Sequence, residues 1–463
     1  MAQARVDDFG VLTFVIDEAR IEAVQVEGLK RTKDWVVQRL IETKPGELFR
    51  QEQVSSDVQR IFNLGIFQNV KTDLRPGVVD PTAVIVVMQI EEKRTGQASV
   101  AAAYSELDEF VFMVSVTESN FRGRAERISA DVEAFGRTSY DLRFFEPYLD
   151  DHNTSMDITL FDTERRRRFV PGGISLANDQ FEERRRGASV RLSRPMRSNQ
   201  RFSVGLQTQE VSGSYLQAQR RLETPGMLGP LGLRSGQGGR GQGVKLMSTI
   251  DGTGPPGPGD IEGPVIVAAP LHPPGTVNSM ALEYAWDTSD LITDPRKGGF
   301  RGVTWQYAGG LFGGDNQYSL YSVEQRKYLS VQGGVLALRL MLGSSSGNVP
   351  LFDCWSIGGS MNLRGYEEDR YRGENLLVGN VEYRYSLSDS LGIVGFVDAG
   401  DAWGGLFPTV IPGFNIPAED QKLTLHMGVG VGVRAVTPLG PIRIDWGFGE
   451  DGSQVHFGFG QIF

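Results

Sequence analysis

The side chains best suited to covalent or metal chemistry are dispersed along this chain. Its four histidines, His152, His272, His426 and His456, stand far apart, and none takes part in an HExxH spacing. The one cysteine, Cys354, has no CxxC partner and cannot form an internal disulfide. Serines are plentiful, yet no GxSxG elbow raises one for nucleophilic attack. The glycine-rich stretch at 221–275 contains no P-loop. A lipase or protease would have to gather its site from remote segments, and no spacing points to one. The sequence therefore offers no catalytic residues, no metal ligands and no cofactor site.

Composition narrows the classes further. The 463 residues carry a formal charge of -10, which argues against a nucleic-acid groove. Hydrophobic residues make up 40%. No run approaches the roughly 20 apolar residues that a spanning helix needs. A transmembrane β-barrel fits the same values, because its strands hide apolar residues at every second position. The first residues, MAQARVDDFG, lack the basic, apolar and small-residue order of a signal peptide.

Two regions position whatever the chain does. Residues 21–93 read as a small β-α-α-β-β unit. Ile21, Val24 and Val26 mark a first strand that Gly28 ends. A helix is expected from about Thr32, its N-cap, to Glu42, with Trp35, Val36, Arg39 and Leu40 at helical spacing. Pro45-Gly46 breaks the chain, and a second helix runs from about Arg50 to Leu64 on a stripe of Val54, Val58, Ile61 and Phe62. Strands follow at about 67–74 and 83–91. The unit shows no acid–base pair or metal cluster and reads as a docking domain. Residues 10–19 look like the last strand of a preceding domain whose beginning is missing. The domain reading is thus 1–20 as a remnant or linker, 21–95 as the docking domain and 96–463 as a barrel.

From Gly96 onward, helical periodicity gives way to alternating segments of about ten residues. In RAERISADVEAF, Ile128, Ala130, Val132 and Ala134 share one face, and Arg127, Ser129, Asp131 and Glu133 the other. The count between 97 and 463 comes to 16 strands. In the last, QVHFGFGQIF, the outward face is assigned to Val455, Phe457, Phe459 and Phe463, and the inward face to Gln454, His456, Gly458 and Gly460. Long connections at 221–275 and 344–375 alternate with short turns. The fold class is membrane all-β: a 16-stranded antiparallel transmembrane barrel behind an α/β domain.

Several motifs occur in one order. GLKRTKDWVVQRLIETKPGELFRQEQVSSDVQRIFNLGIFQNV is close to the usual phrase of a POTRA domain. Arg364-Gly365-Tyr366 follows Gly358-Gly359, and the segments WDTSDLITDPRKGG and GPIRIDWGFGEDG flank it. Together they resemble the BamA/TamA superfamily, most closely its outer-membrane assembly branch, and the resemblance covers nearly the whole chain. It implies that Arg364, Gly365 and Tyr366 form the tip of an extracellular loop folded back into the barrel, with Glu382 and Asp398 as acidic partners. A loop that passes through a lumen is expected to have few apolar contacts to hold it, and a guanidinium can fork to carboxylates displayed on a barrel wall. Asp287, with Pro295 and Gly298, and Gly440, Pro441, Arg443 and Asp445 match the family in those two segments, and their residue types read as barrel construction: turns and lumen-side ion pairs. It also implies a lateral gate between the first strand, with Ser99, Ala101 and Ala103, and the last, with Gly458, Gly460 and Phe463.

The resemblance further implies a bacterial outer-membrane location with the small domain in the periplasm. Expected partners are unfolded outer-membrane protein clients, periplasmic or lipoprotein assembly partners at the POTRA-like domain, and outer-membrane lipids. The leading function is insertion of β-barrel clients. A TamA-like translocation and assembly protein is the alternative, together with a secretion pore of the two-partner type, although the plugging helix usual there is not seen. A passive porin is weaker still, since a diffusion channel has no use for a docking domain.

Overall fold

The computed structural model describes residues 2–6, 12–16, 19–105, 109–135, 137–168, 180–197, 199–215, 272–291, 294–388, 390–405, 421–437, 440–450, 452–459 and 463. Two short strands come first, β1 (Ala2–Val6) and β2 (Leu12–Ile16), paired antiparallel in a sheet of their own. The strand read within 10–19 is β2, and its partner is β1.

The small domain follows as β3 (Ile21–Glu27), α1 (Asp34–Gln38), α2 (Gln51–Phe62), β4 (Phe67–Pro76) and β5 (Val84–Glu92). Its sheet order is β3-β5-β4, with β5 parallel to β3 and antiparallel to β4. A register shift between Ile21 and Ala23 explains the imperfect alternation of β3. Central β5 is apolar on both faces, and Val86, Val87 and Met88 are fully buried. Val37, Val54 and Ile61 bring the two helices onto the sheet.

Three helical expectations need correction. The first helix spans Asp34–Gln38 rather than 32–42, because the Asp57 carboxylate captures the Glu42 and Thr43 amides at 3.0 and 3.1 Å and draws that backbone into a turn. Thr32 is not its N-cap; Lys33 is. The Thr32 amide donates instead to Glu92 Oε1 at 2.7 Å. Trp35 and Phe62 are exposed, with the Arg39 guanidinium over the Trp35 ring.

The barrel strands are β6 (Gly96–Ser105), β7 (Glu109–Phe121), β8 (Glu126–Phe135), β9 (Ser139–Glu146), β10 (Ser155–Arg168), β11 (Gln180–Arg197), β12 (Gln200–Tyr215), β13 (His272–Asp287), β14 (Gly298–Ala308), β15 (Tyr318–Val331) and β16 (Gly334–Gly347). Two three-residue strands in the next connection, β17 (Trp355–Ile357) and β18 (Tyr371–Gly373), pair with each other. Then come β19 (Asn375–Ser386), β20 (Leu391–Trp403), β21 (His426–Thr437), β22 (Gly440–Gly449) and β23 (Gly452–Phe459). The sheet has the expected 16 strands in sequence order, with β6 and β23 at its two ends.

Burial in this sheet is inverted relative to a water-soluble core. Val381, Ile393, Val431, Ile444 and Phe457 are more than two-fifths exposed, whereas Glu382, Asp398, Asp445 and Arg443 are at most 2% exposed. An apolar exterior around a charged interior is what lipid contact demands.

The chain folds as two compact units: residues 1–99 with 115–130 and 143–147, and the remainder. Within the first, the turn after β7 meets the start of α1. Gly123 O accepts the Lys33 amide at 2.7 Å, and Asn120 Nδ2 donates to Thr32 Oγ1 at 2.9 Å. The connection after β12 lies outside the described residues from 216 to 271, which includes most of the Gly/Pro-rich stretch read as a loop at 221–275. Its last four residues, 272–275, belong to β13.

Candidate functional site

The connection between β16 and β19 carries the most constrained polar group in the barrel. Strand alternation prepares the wall. Asn380, Glu382 and Arg384 share one face of β19, Phe396 and Asp398 the facing side of β20, and Arg443 and Asp445 that of β22. Asn380 is the register partner of Asp398, so its amide donates to Asp398 Oδ1 at 2.8 Å. It also donates to Asn362 O in the loop at 2.7 Å.

Arg364 enters this wall and is fully buried. Its Nε and Nη2 fork onto the two oxygens of Asp398 at 2.7 and 2.8 Å, and its Nη1 donates to Glu382 Oε1 at 2.7 Å. Its backbone amide also donates to Asp398 Oδ2 at 3.1 Å. Asp445 lies 3.6 Å from Nη1, and the guanidinium rests 3.5 Å above the centre of the Phe396 ring. A forked, dry ion pair of this kind fixes orientation as well as position.

The two residues that follow are held as firmly. Gly365 has φ +95°, and a Cβ there would lie 2.7 Å from the Phe448 carbonyl carbon, so glycine is required twice over. Its amide donates to His456 Nε2 at 3.1 Å. Buried Tyr366 donates its hydroxyl to Met427 O at 3.0 Å and accepts the Glu450 amide at 3.2 Å. The wall makes room for this passage. A Cβ on Gly447 would lie 2.9 Å from the Arg364 carbonyl carbon, and one on Gly428 would collide with the Arg364 carbonyl oxygen.

The structure brings Arg364, Gly365, Tyr366, Glu382 and Asp398 together, with Asp445 and His456 beside them. Arg384 and Arg434 complete the array by pairing with Glu382 and Asp445 at 2.8 and 2.6 Å. Asp287 stays apart, at the end of β13, where Oδ1 accepts the Ser289 amide at 2.9 Å in a turn. Gly440 and Pro441 pair with Thr437 and Val436 at the start of β22. Of the gate residues, Ser99 is exposed, Ala101 half-buried, and Ala103 lies within β6. Gly458 sits against the Arg443 guanidinium, where a Cβ would lie 2.9 Å from Cζ. Gly460 lies outside the described residues.

Two expectations fail. Phe463 is not on the outward face but 5% exposed, packed with Tyr328 and Ala337, and its backbone oxygen accepts Arg384 Nη2 at 2.9 Å. Period-two alternation from Val455 would put Phe463 outward, but its contacts with Tyr328 and Arg384 hold it inward. Nor is the loop poor in apolar contacts: Ile357, Leu363 and Tyr366 pack against Leu376, Val378 and Ala402 of the wall.

A second anchor holds the other part of the loop, and sequence reasoning misses it. Arg185 Nη1 donates to Asp353 at 3.0 Å, and its Nη2 to Phe352 O at 2.7 Å. Arg167 donates to Asp369 at 3.1 Å, and the Tyr318 hydroxyl bonds to Asp353. The one signal for it is the pair of arginine-rich runs at 165–168 and 184–186, whose alternate members face one way.

A family model described as the Omp85 superfamily domain matches residues 120–463. The chain belongs to the Omp85 superfamily. A second model, for the POTRA domain and described as a surface antigen variable number repeat, matches residues 19–93. The outer membrane protein assembly factor BamA of Nitratidesulfovibrio vulgaris is 24% identical, covering 98% of this chain and 53% of that protein. The chain spans little more than half the length of the curated relatives that it matches over most of its own length. The crystal structure of BamA from Haemophilus ducreyi lacking POTRA domains 1–3 superposes with a TM-score of 0.68 at 14% identity, covering 100% of this chain and 88% of that one. CdiB from Escherichia coli superposes at 0.60 and 12% identity, covering 98% and 79%. This Omp85 barrel resides in the outer membrane with its POTRA domain in the periplasm. Among the described residues no cluster of metal-ligating side chains occurs.

Proposed function

We propose that this chain is the membrane-embedded part of an outer-membrane protein assembly factor, which folds and inserts β-barrel clients through a lateral gate between β6 and β23. The observation that carries the reading is the likeness to a protein named as such a factor, which runs through both the POTRA domain and the barrel. Two features of the fold support it. The ends of the sheet order are β6 and β23. The β6 sequence GQASVAAAYS offers small side chains and little cross-strand packing.

In this reading no cofactor or hydrolysis is needed. An edge strand presents unpaired N–H and C=O groups that template an incoming client strand. Each ladder bond lost at a wet seam costs about 1 kcal/mol, and more in lipid, so the seam opens only when a client replaces those bonds. Burial of the client's apolar face in lipid drives the step. The POTRA edges β3 and β4 would take periplasmic partners or client segments in the same way.

The test is client folding in vesicles that contain the purified protein. Folding of an unfolded outer-membrane barrel should be faster than in empty vesicles, and equal rates would reject the reading. A second reading is a translocation or secretion pore. It predicts passage of polypeptide into the vesicle lumen rather than insertion. A passive porin predicts solute flux with neither.

A further inference from the structure

The luminal wall beside Arg364 holds one buried arginine, Arg443, that has no ion pair among the described residues. The guanidiniums of Arg364, Arg384, Arg434 and Arg443 stand beside the side-chain carboxylates of Glu382, Asp398 and Asp445, and Arg384 also donates to the Phe463 backbone oxygen. Arg364 takes both oxygens of Asp398 and one of Glu382, Arg384 takes the other Glu382 oxygen, and Arg434 takes Asp445. Arg443 is left over.

Arg443 is 2% exposed and forms no ion pair among the described residues. Its one polar contact is from Nη2 to the Met361 sulfur at 3.0 Å, and its Nε and Nη1 have no acceptor. Gly458 leaves the space that the group occupies, since any Cβ there would collide with Nε. Arg434 is its register partner across β21 and β22, and Arg434 Nε is also without an acceptor. Arg384 Nη1 is a third such donor, and Arg384 and Arg434 lie 2.8 and 4.0 Å from the same Glu382 carboxylate. A buried cation with unsatisfied donors is costly unless a counter-charge joins it.

We infer that Arg384, Arg434 and Arg443 form an oxyanion site in the barrel lumen, which takes one small phosphate or carboxylate ion from the aqueous interior. The ion supplies Arg443 with a counter-charge and these N–H groups with the acceptor oxygens that they lack. The inference is independent of how clients enter the membrane.

The experiment follows the urea midpoint of the purified protein in detergent micelles as inorganic phosphate or acetate replaces chloride at constant ionic strength. An ion that binds only the folded barrel raises the midpoint with its concentration. In Arg443→Met the rise should vanish. At low phosphate this variant should be no less stable than the unsubstituted protein, because the uncompensated charge is gone and the thioether can pack on Met361. Should Arg443→Met fail to fold, Arg443→Gln, which keeps polar groups without the charge, is read in the same way. A midpoint indifferent to both anions, or an undiminished rise in the variant, overturns the site.

Discussion

The two anchors of the luminal loop use the same chemistry with opposite polarity. At the β19–β22 wall the loop supplies the cation, Arg364, and the barrel supplies Glu382 and Asp398. At the β10–β11 wall the loop supplies the carboxylates Asp353 and Asp369, and the barrel supplies Arg185 and Arg167. A loop charged in this way has one favourable seating, because the reversed one sets like against like at both ends. The anchors also differ in dryness. Arg364 and its two partners are fully buried, whereas Arg167 and Arg185 keep about a fifth of their side-chain surface exposed. The dry anchor should dominate stability, and the wetter one should set the path of the loop.

The largest effect is expected at the dry anchor. Arg364→Ala leaves two buried carboxylates short of a partner and should cost roughly 3–5 kcal/mol. Limited proteolysis should then cut within 348–374, and client folding should fall. Arg364→Lys should rescue little, since a lysine cannot fork to Asp398. Intact protection of the loop in Arg364→Ala would remove the distinction between the anchors.

A smaller effect is expected from Asp353→Asn with Asp369→Asn, roughly 1–3 kcal/mol for each hydrogen-bonded ionic contact weakened. Amide exchange should quicken at 349–357 and stay slow at 362–366. Equal quickening in both segments would show one cooperative loop in place of two separable anchors.

The POTRA domain supplies the smallest effect and a control. Burial alone would raise the Glu92 carboxyl, but hydrogen bonds from the Thr32 side chain and amide and from the Arg31 amide hold it below the usual carboxylate range. A depressed folded-state pKa means that its stabilisation is complete above the unfolded value, about 4.3, and is lost as pH falls through the folded value. Glu92→Gln should flatten that acid-side loss for the domain, as read by amide exchange at β5, and leave the luminal anchors unchanged.

How far the sequence shows this depends on the range of the interaction. Alternation with period two is local, so the strand count and the wall faces of β19, β20 and β22 are legible in the order of residues alone. The dry anchor is legible because its Arg-Gly-Tyr motif resembles a known family. The wetter anchor is not, because Arg167 and Asp369 are 202 positions apart and Arg185 and Asp353 are 168 apart, with no local pattern to join them. The short α1 and the inward Phe463 escape for a related reason. Each is decided by a distant group, the Asp57 carboxylate in one case and Arg384 with Tyr328 in the other.

Locking the seam tests the assembly reading most directly. One cysteine is placed in β6 near Ala101 and one in β23 near Phe459, in a Cys354→Ser background, with the positions adjusted until the two face each other. Oxidation should stop client folding in reconstituted vesicles, and reduction should restore it. Full activity with the seam crosslinked would contradict lateral opening and leave a luminal or membrane-thinning role in its place.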